Sequence, residues 1–284
     1  MVLTPEKAAD ISPIFKGRMG KVLYKVALHF MGIHHVNRIH DAVEKQGIPF
    51  GPDFAKGTLD EMGLDFLIGN PERLAFPEGP FITISNHAYG HLDGICLMDV
   101  VGHVRPKVKV MVNDMLMYIY GLAPNFISVS PTIEQRQVTG TSINGIKEAL
   151  RQLREGEPLC LFPSGAVADL KPLEGWILKE REWQDAAIRL IRKARVPVIP
   201  IRFLDHNSWF YYSLGLIDYR VRFARLFHEL ANKAGQQHRI VIGETISVEQ
   251  QNAVPDDDFK AFLRSSVYDM PVPEHFIKRS ELWK

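Results

Sequence analysis

From Gly17 to about Ala42 the apolar positions recur with a helical period. Val22, Leu23, Val26, Ala27, Phe30 and Met31 fall on one face, and Arg18, Lys21, Lys25 and His29 on the other. The pattern predicts an amphipathic N-terminal helix, which either lies in a bilayer interface or covers the apolar face of its own domain. Gln46 to Gly79 is rich in Gly and Pro, shows little periodicity and reads as a connector. A different rhythm begins at Pro80. "PFITIS", "KVKVMV", "NFISVS", "PLCLFP", "PVIPIRF" and "RIVIG" are short apolar runs rich in Val and Ile, as expected of strands buried on both faces. Helical faces lie between several of them: Ile143, Ile146, Leu150 and Leu153 mark one, and Trp183, Ala186, Ala187, Leu190, Ile191 and Ala194 another. Strands alternating with helices predict βαβ units and an α/β fold, with a mostly parallel central sheet flanked by helices. The aromatic run "WFYYSLGLIDY" reads as core or edge strand, with a lipid-facing surface as the lesser alternative. After Pro255 one short helix and a polar end are expected. The divisions are residues 1–60 as a helical, membrane-associating segment, 61–250 as the α/β unit and 251–284 as a C-terminal helix and tail.

Composition narrows the function. At 284 residues, with 46% hydrophobic and 24% charged residues, the chain suits one large folded domain with additions. A net charge of +1 gives no reason to expect a nucleic-acid partner. Cys96 and Cys160, the two cysteines, both sit in apolar runs. They read as core residues of a protein from a reducing compartment. Glu6, Lys7 and Asp10 interrupt the start, so no secretory signal is read there. No window approaches the roughly eighteen uninterrupted apolar residues of a spanning helix.

The candidate chemistry lies where open α/β sheets gather it, just beyond the carboxyl ends of strands. "ISNHAYGHLDG" follows the first strand of the α/β unit and places Asp93 six residues after His87, with Gly90 between them to turn the chain. A neutral His can take a proton from a hydroxyl or amine near neutral pH, and a carboxylate behind it fixes its tautomer. No Ser or Cys sits in a Gly-x-Ser-x-Gly elbow, so a covalent acyl-enzyme is not indicated. His91 stands two residues from Asp93 and is the alternative base. Asp93 is equally suited to capping the helix that "GICLMDVV" predicts. Ser164 and Gly165 in "FPSGAVADL" also suit a plain loop turn. His29, His34, His35 and His40 lack the spacing of a zinc motif, and no metal is expected.

"SNHAYGHLDG", "FPSGA" and "VPVIPIRF", in this order, resemble the lysophosphatidic-acid and glycerol-3-phosphate acyltransferase superfamily. That resemblance implies a fatty acyl transfer with His87 as general base and Asp93 as its orienting partner. Asn86, Phe162, Pro163, Ser164 and Gly165 would bind substrate, Gly165 and its neighbours through backbone N–H groups. The implied co-substrate is an acyl carrier protein or coenzyme A thioester, with no other cofactor, and the acceptor is a lyso-type lipid. The expected location is cytoplasmic, peripheral on the inner face of the cytoplasmic membrane.

Three departures from the family pattern shape the expectation. Five residues, Ala88 to Leu92, separate His87 from Asp93 where four are usual. The longer spacing resembles the bacterial ornithine-lipid and glycine-lipid O-acyltransferase branch. Ser164 replaces the Glu of Phe-Pro-Glu-Gly, and the arginines that hold an acceptor phosphate have no counterpart in "NFISVSPT" or "AVAD". Neutral replacements cannot supply bidentate, charge-assisted contacts, so a phosphate-poor acceptor is expected unless Arg136, Lys171 or Arg202 substitutes. The alternatives are a silent lipid- or acyl-binding homologue and an acyl thioesterase in which His87 activates water.

Overall fold

A computed structural model describes residues 17–129 and 140–282. Arg136 lies outside the described residues, as does the start of the chain before Gly17. The fold is α/β. Eight strands form the main sheet in the order β10-β1-β9-β8-β2-β5-β3-β4, where β1 is Leu67–Gly69, β2 Ile82–Ser85, β3 Lys109–Asn113, β4 Phe126–Val129, β5 Leu159–Leu161, β8 Val198–Phe203, β9 Arg239–Ile242 and β10 Phe276–Lys278. Strands β8, β2, β5, β3 and β4 are mutually parallel, whereas β9 and β10 pair antiparallel with β8 and β1. Helices cover both faces because the apolar runs alternate: Ile82 and Ile84 face one core, and Cys160 on neighbouring β5 faces the other. The first core joins the sheet to α1 (Gly17–Met31), α2 (Ile33–Lys45), α3 (Pro52–Glu61), α4 (His91–Val104) and α8 (Tyr219–Asn232). The second packs α5 (Gly140–Arg154), α6 (Asp185–Ala194) and α10 (Asp256–Tyr268) beneath it. Both cysteines are free and buried.

The parallel pairing positions the chemistry. Strand β2 lies between β5 and β8, with Ile84 opposite Leu161 and Ser85 opposite Ile201. The three motif segments therefore leave the sheet side by side at one edge.

Five features differ from the sequence reading. The N-terminal helix breaks at Gly32, whose φ of 69° suits glycine, and a Cβ there would meet His228 Cα at 2.6 Å. The Gly/Pro-rich connector holds α3, which starts with Pro at its first turn and buries Phe54, Ala55 and Leu59. The aromatic run is a helix, α7 (Trp209–Ile217), because the Ser208 hydroxyl oxygen accepts the Tyr211 N–H at 3.1 Å and caps it. The hydroxyl of Ser208 in turn donates to Glu229 at 2.7 Å. The C-terminal tail supplies β10, so the sheet extends beyond the expected limit at residue 250. Arg279, just after β10, is buried with Asp99 at 2.6 Å and reaches Asp60 at 2.9 Å, which locks this segment to α3 and α4. A small hairpin, β6 (Asp169–Lys171) with β7 (Ile177–Lys179), was not anticipated.

Helix α1 packs through Tyr24 and Leu28. Its other apolar stripe, Met19, Val22 and Val26, is exposed, as are Arg18 and Lys25. No helix among the described residues is long and apolar enough to cross a membrane.

Candidate active site

Between β2 and α4 the chain makes a tight loop. Gly90 adopts a φ of 89°, and a Cβ on it would meet Leu226 Cδ2 at 2.9 Å, so only glycine turns the chain here without strain. The turn brings Asp93, in the first turn of α4, back to His87. His87 Nδ1 lies 2.8 Å from Asp93 Oδ2, and the carboxylate is fully buried while the His87 side chain keeps 18% exposure. Asp93 also accepts the backbone N–H groups of Tyr89 and Gly90, each at 2.9 Å. The two sequence readings of Asp93 therefore coincide: one carboxylate caps the helix and holds the histidine. Because an ionised Asp93 only accepts, the neutral form of the ring carries its proton on Nδ1 and leaves the Nε2 lone pair free. The His87 ring stacks on Phe162 at 4.5 Å between centroids, which fixes its plane.

The other sequence candidates converge on this loop. Asn86 makes a reciprocal pair with the end of β8: its Nδ2 donates to the Phe203 carbonyl at 2.9 Å and its Oδ1 accepts the Phe203 N–H at 2.8 Å. It ties two strand ends together. The Pro163 carbonyl accepts the Gln184 N–H at 2.8 Å. Ser164 is buried and its hydroxyl donates to Glu180 Oε1 at 3.0 Å. Gly165 N–H donates to the Phe162 carbonyl at 2.9 Å, so it closes the turn and is not aimed at a ligand. That differs from the expectation that its N–H binds substrate.

His91 packs against α8 and, among the described residues, makes no pair with Asp93 comparable to that of His87. It is buried against Phe227, 4.3 Å between ring centroids, and burial, aided by His87 nearby, pushes its pKa down to about 3. A buried ring held neutral in this way is poorly placed to meet a substrate hydroxyl.

Several residues of the site carry no sequence signal. Tyr212 OH donates to the Ala88 carbonyl at 3.2 Å and Asn207 Nδ2 to that of Tyr89 at 3.1 Å, so both brace the loop. Glu180 accepts the His87 backbone N–H at 2.7 Å. These contacts span long stretches of chain, and no motif spacing announces them.

The arginine question also changes. Asp169, the acidic group near the "FPSG" turn, is bracketed by Arg181 at 3.1 Å and Arg222 at 2.9 Å. Burial raises its carboxyl pKa, but the hydrogen bonds and charges of Arg181 and Arg222 outweigh this and hold it below the usual range. Both guanidiniums are thus engaged by an internal carboxylate. Lys171 stands 4.0 Å from the same Asp169, and Arg202 donates to the Met270 carbonyl at 3.2 Å. Among the described residues one trio of possible metal ligands, His40, Asp41 and Glu44, gathers on α2, away from this loop.

The matching family model is Acyltransferase, over residues 67–204. Those residues are similar to an acyltransferase domain. The matched span runs from β1 to just past β8 and contains His87, Asp93 and the Phe162–Gly165 turn, as the sequence resemblance expected. Two curated relatives are lyso-glycine lipid O-acyltransferases. One, from Bacteroides thetaiotaomicron, is 26% identical over 67% of this chain and 66% of its own length. The other, from Phocaeicola vulgatus, is 28% identical over 73% of each. Both names fall in the glycine-lipid branch of the superfamily. Among solved structures, the 1-acyl-sn-glycerophosphate (LPA) acyltransferase PlsC from Thermotoga maritima aligns over 88% of this chain and 95% of its own. The identity is 14% and the TM-score 0.49.

Proposed function

We propose that this protein transfers a fatty acyl chain from an acyl thioester, carried on acyl carrier protein or coenzyme A, to the hydroxyl or amine of a lyso-lipid. The observation that carries the proposal is the His87–Asp93 pair at 2.8 Å, at the carboxyl edge of the sheet in a region similar to an acyltransferase domain. His87 Nε2 removes the proton as the acceptor atom attacks the thioester carbonyl. Asp93 holds the ring and stabilises the imidazolium that forms. The C–S bond then breaks, and the imidazolium returns the proton to the departing thiolate. No covalent acyl-enzyme is required.

The acceptor we favour is a lyso-glycine lipid or a similar aminoacyl lipid, acylated on oxygen as the names of both relatives state. A phosphate monoester carries close to two negative charges and needs free guanidinium or ammonium partners. Arg222 is almost fully enclosed and, like Arg181, gives part of its donors to Asp169, which supports the phosphate-poor choice. Purified protein given an acyl thioester is expected to acylate lyso-glycine lipid at least tenfold faster than lysophosphatidic acid, measured by chromatography and mass spectrometry. Faster acylation of lysophosphatidic acid or glycerol 3-phosphate would overturn the acceptor assignment.

The lipid is reached from a membrane surface, at the inner face of the cytoplasmic membrane in our reading. Met19, Val22 and Val26 of α1 and Trp209, Phe210 and Ile217 of α7 are exposed, Ile217 by 80%. Both helices pack on α8, and Arg225 of α8 lies between Phe30 of α1 and Phe210 of α7. Arg225 thus links the two helices that carry these residues, and Arg18 and Lys25 of α1 and Arg220 of α8 are exposed. Burying one such large apolar side chain contributes up to roughly 1.5–3 kcal/mol, against about 1 kcal/mol for a basic residue near an anionic surface. Apolar insertion should dominate. Flotation with anionic vesicles is expected to carry the protein, and high salt to weaken binding without abolishing it. Val26→Asp with Ile217→Asp is expected to leave the protein at the bottom of the gradient. Failure of the parent protein to float at low salt would remove the membrane from the account.

A further inference from the structure

We infer that Glu180 is the positioning residue that holds His87 in register, supplying from the strap after β7 the carboxylate that Ser164 no longer provides. The inference rests on His87 being the base and names the group that orients its backbone.

Four donors from four parts of the chain meet on this one side chain. Glu180 Oε1 accepts the His87 backbone N–H at 2.7 Å and the Ser164 hydroxyl at 3.0 Å. Glu180 Oε2 accepts Trp183 Nε1–H at 3.0 Å and the Tyr268 hydroxyl. Burial, and next the adjacent Glu180 charge, raises the Tyr268 pKa, so the phenol stays protonated and donates. All four donors are neutral. Glu180 thereby joins the β2–α4 loop, the turn after β5, its own strap and the C-terminal end of α10. His87 thus has two anchors, Asp93 on its ring and Glu180 on its main chain.

The chemistry demands a carboxylate rather than any polar group. Each oxygen of Glu180 faces one donor that cannot reverse: the His87 amide on Oε1 and the Trp183 indole on Oε2. A glutamine amide, in either orientation, sets its NH₂ against one of these N–H groups. The location matters as well. Ser164 Oγ lies 3.0 Å from Glu180 Oε1, and a glutamate at 164 that kept the serine rotamer would place its γ-carbon there. In that rotamer its carboxylate would crowd the one that Glu180 places there.

The test is a rescue experiment on the full-length protein, using acyl thioester and lyso-glycine lipid. Glu180→Ala and Glu180→Gln are each expected to lower kcat about 10–100-fold through misplacement of His87, with KM changed less than about twofold. Ser164→Glu alone is also expected to lower kcat, because two carboxylates then contend for one site. Combined with Glu180→Ala, Ser164→Glu is expected to raise kcat at least fivefold above Glu180→Ala. The same substitution is thus harmful in one background and beneficial in the other. In amide NMR the His87 N–H resonance should move upfield in Glu180→Gln and return downfield in the rescued double variant. A volume-preserving Glu180→Gln that keeps kcat within twofold would overturn the inference. So would a folded double variant no faster than Glu180→Ala. His87→Ala is measured in parallel. If it still turns over, the reading of His87 fails and this inference with it. If it is dead while the Glu180 variants are fully active, the inference on Glu180 alone fails.

Discussion

Replacement of His87 by alanine is expected to lower acyl transfer by ~10²–10⁴-fold or more while the protein stays folded. The ring removed is partly exposed and stacked on Phe162, so little core packing is lost. Asp93→Asn is expected to cost about 10²-fold or more, by a different route. The carboxylate takes His87 Nδ1–H and two backbone N–H groups, and an amide in its place must turn an NH₂ toward one of them. If it faces the ring, the imidazole takes the other tautomer and Nε2 no longer offers a lone pair. Little change is expected in acceptor binding. His91→Ala is the control: it opens space against Phe227 and lowers stability, but turnover should stay within a few fold. Steady-state kinetics of the three variants, with thermal melts alongside, decide the matter. Equal activity in the parent and His87→Ala would exclude His87 as the base.

Arg279→Ala is expected to have the largest effect on stability, about 3–5 kcal/mol. Arg279 and Asp99 are almost completely enclosed and lie 2.6 Å apart, so the substitution leaves a buried carboxylate without its cation. Burial already pushes the Asp99 carboxyl pKa up, although Arg279 opposes the shift. The same guanidinium reaches Asp60 at 2.9 Å and the Leu64 carbonyl at 3.4 Å, so β10 and the loop before β1 loosen together. Arg151→Ala, which removes an exposed pair with Glu155 at 3.8 Å, should change stability by no more than about 0.5 kcal/mol. Urea unfolding measures both. Equal midpoints for the two variants would contradict the weight given to the buried pair.

Much of this architecture could be read from the chain because its signals are local. The six apolar runs each became a strand of the main sheet, since burial on both faces demands uninterrupted Val, Ile and Leu. Asn86, His87 and Asp93 stood out because polar residues at a strand end have few structural uses. Elements with mixed signals were harder. Helix α3 was hidden by Gly51, Pro52 and Gly57, although Pro52 is well placed in a first helical turn. Helix α7 is apolar and aromatic all round, so it offered no period to separate helix from strand. Glu180, Asn207 and Tyr212 were not legible at all. Each works by a contact across the fold, 93 residues away for Glu180 and His87, and nothing in its own neighbourhood marks it. Gly165 was legible as a turn but not as one whose N–H is engaged.

The central claim is that this site moves an acyl group from a thioester to a lipid, neither merely binding it nor releasing it to water. The most direct measurement is the fate of an acyl thioester incubated with purified protein, with and without lyso-glycine lipid, followed by quantitative mass spectrometry. The account predicts one free thiol for each acylated lipid formed and negligible free fatty acid. Without the lipid, it predicts an unmodified protein and an intact thioester. Free fatty acid released at the same rate without acceptor would make the protein a thioesterase, and an intact thioester in both incubations would make it a binding protein. Either result would contradict the account.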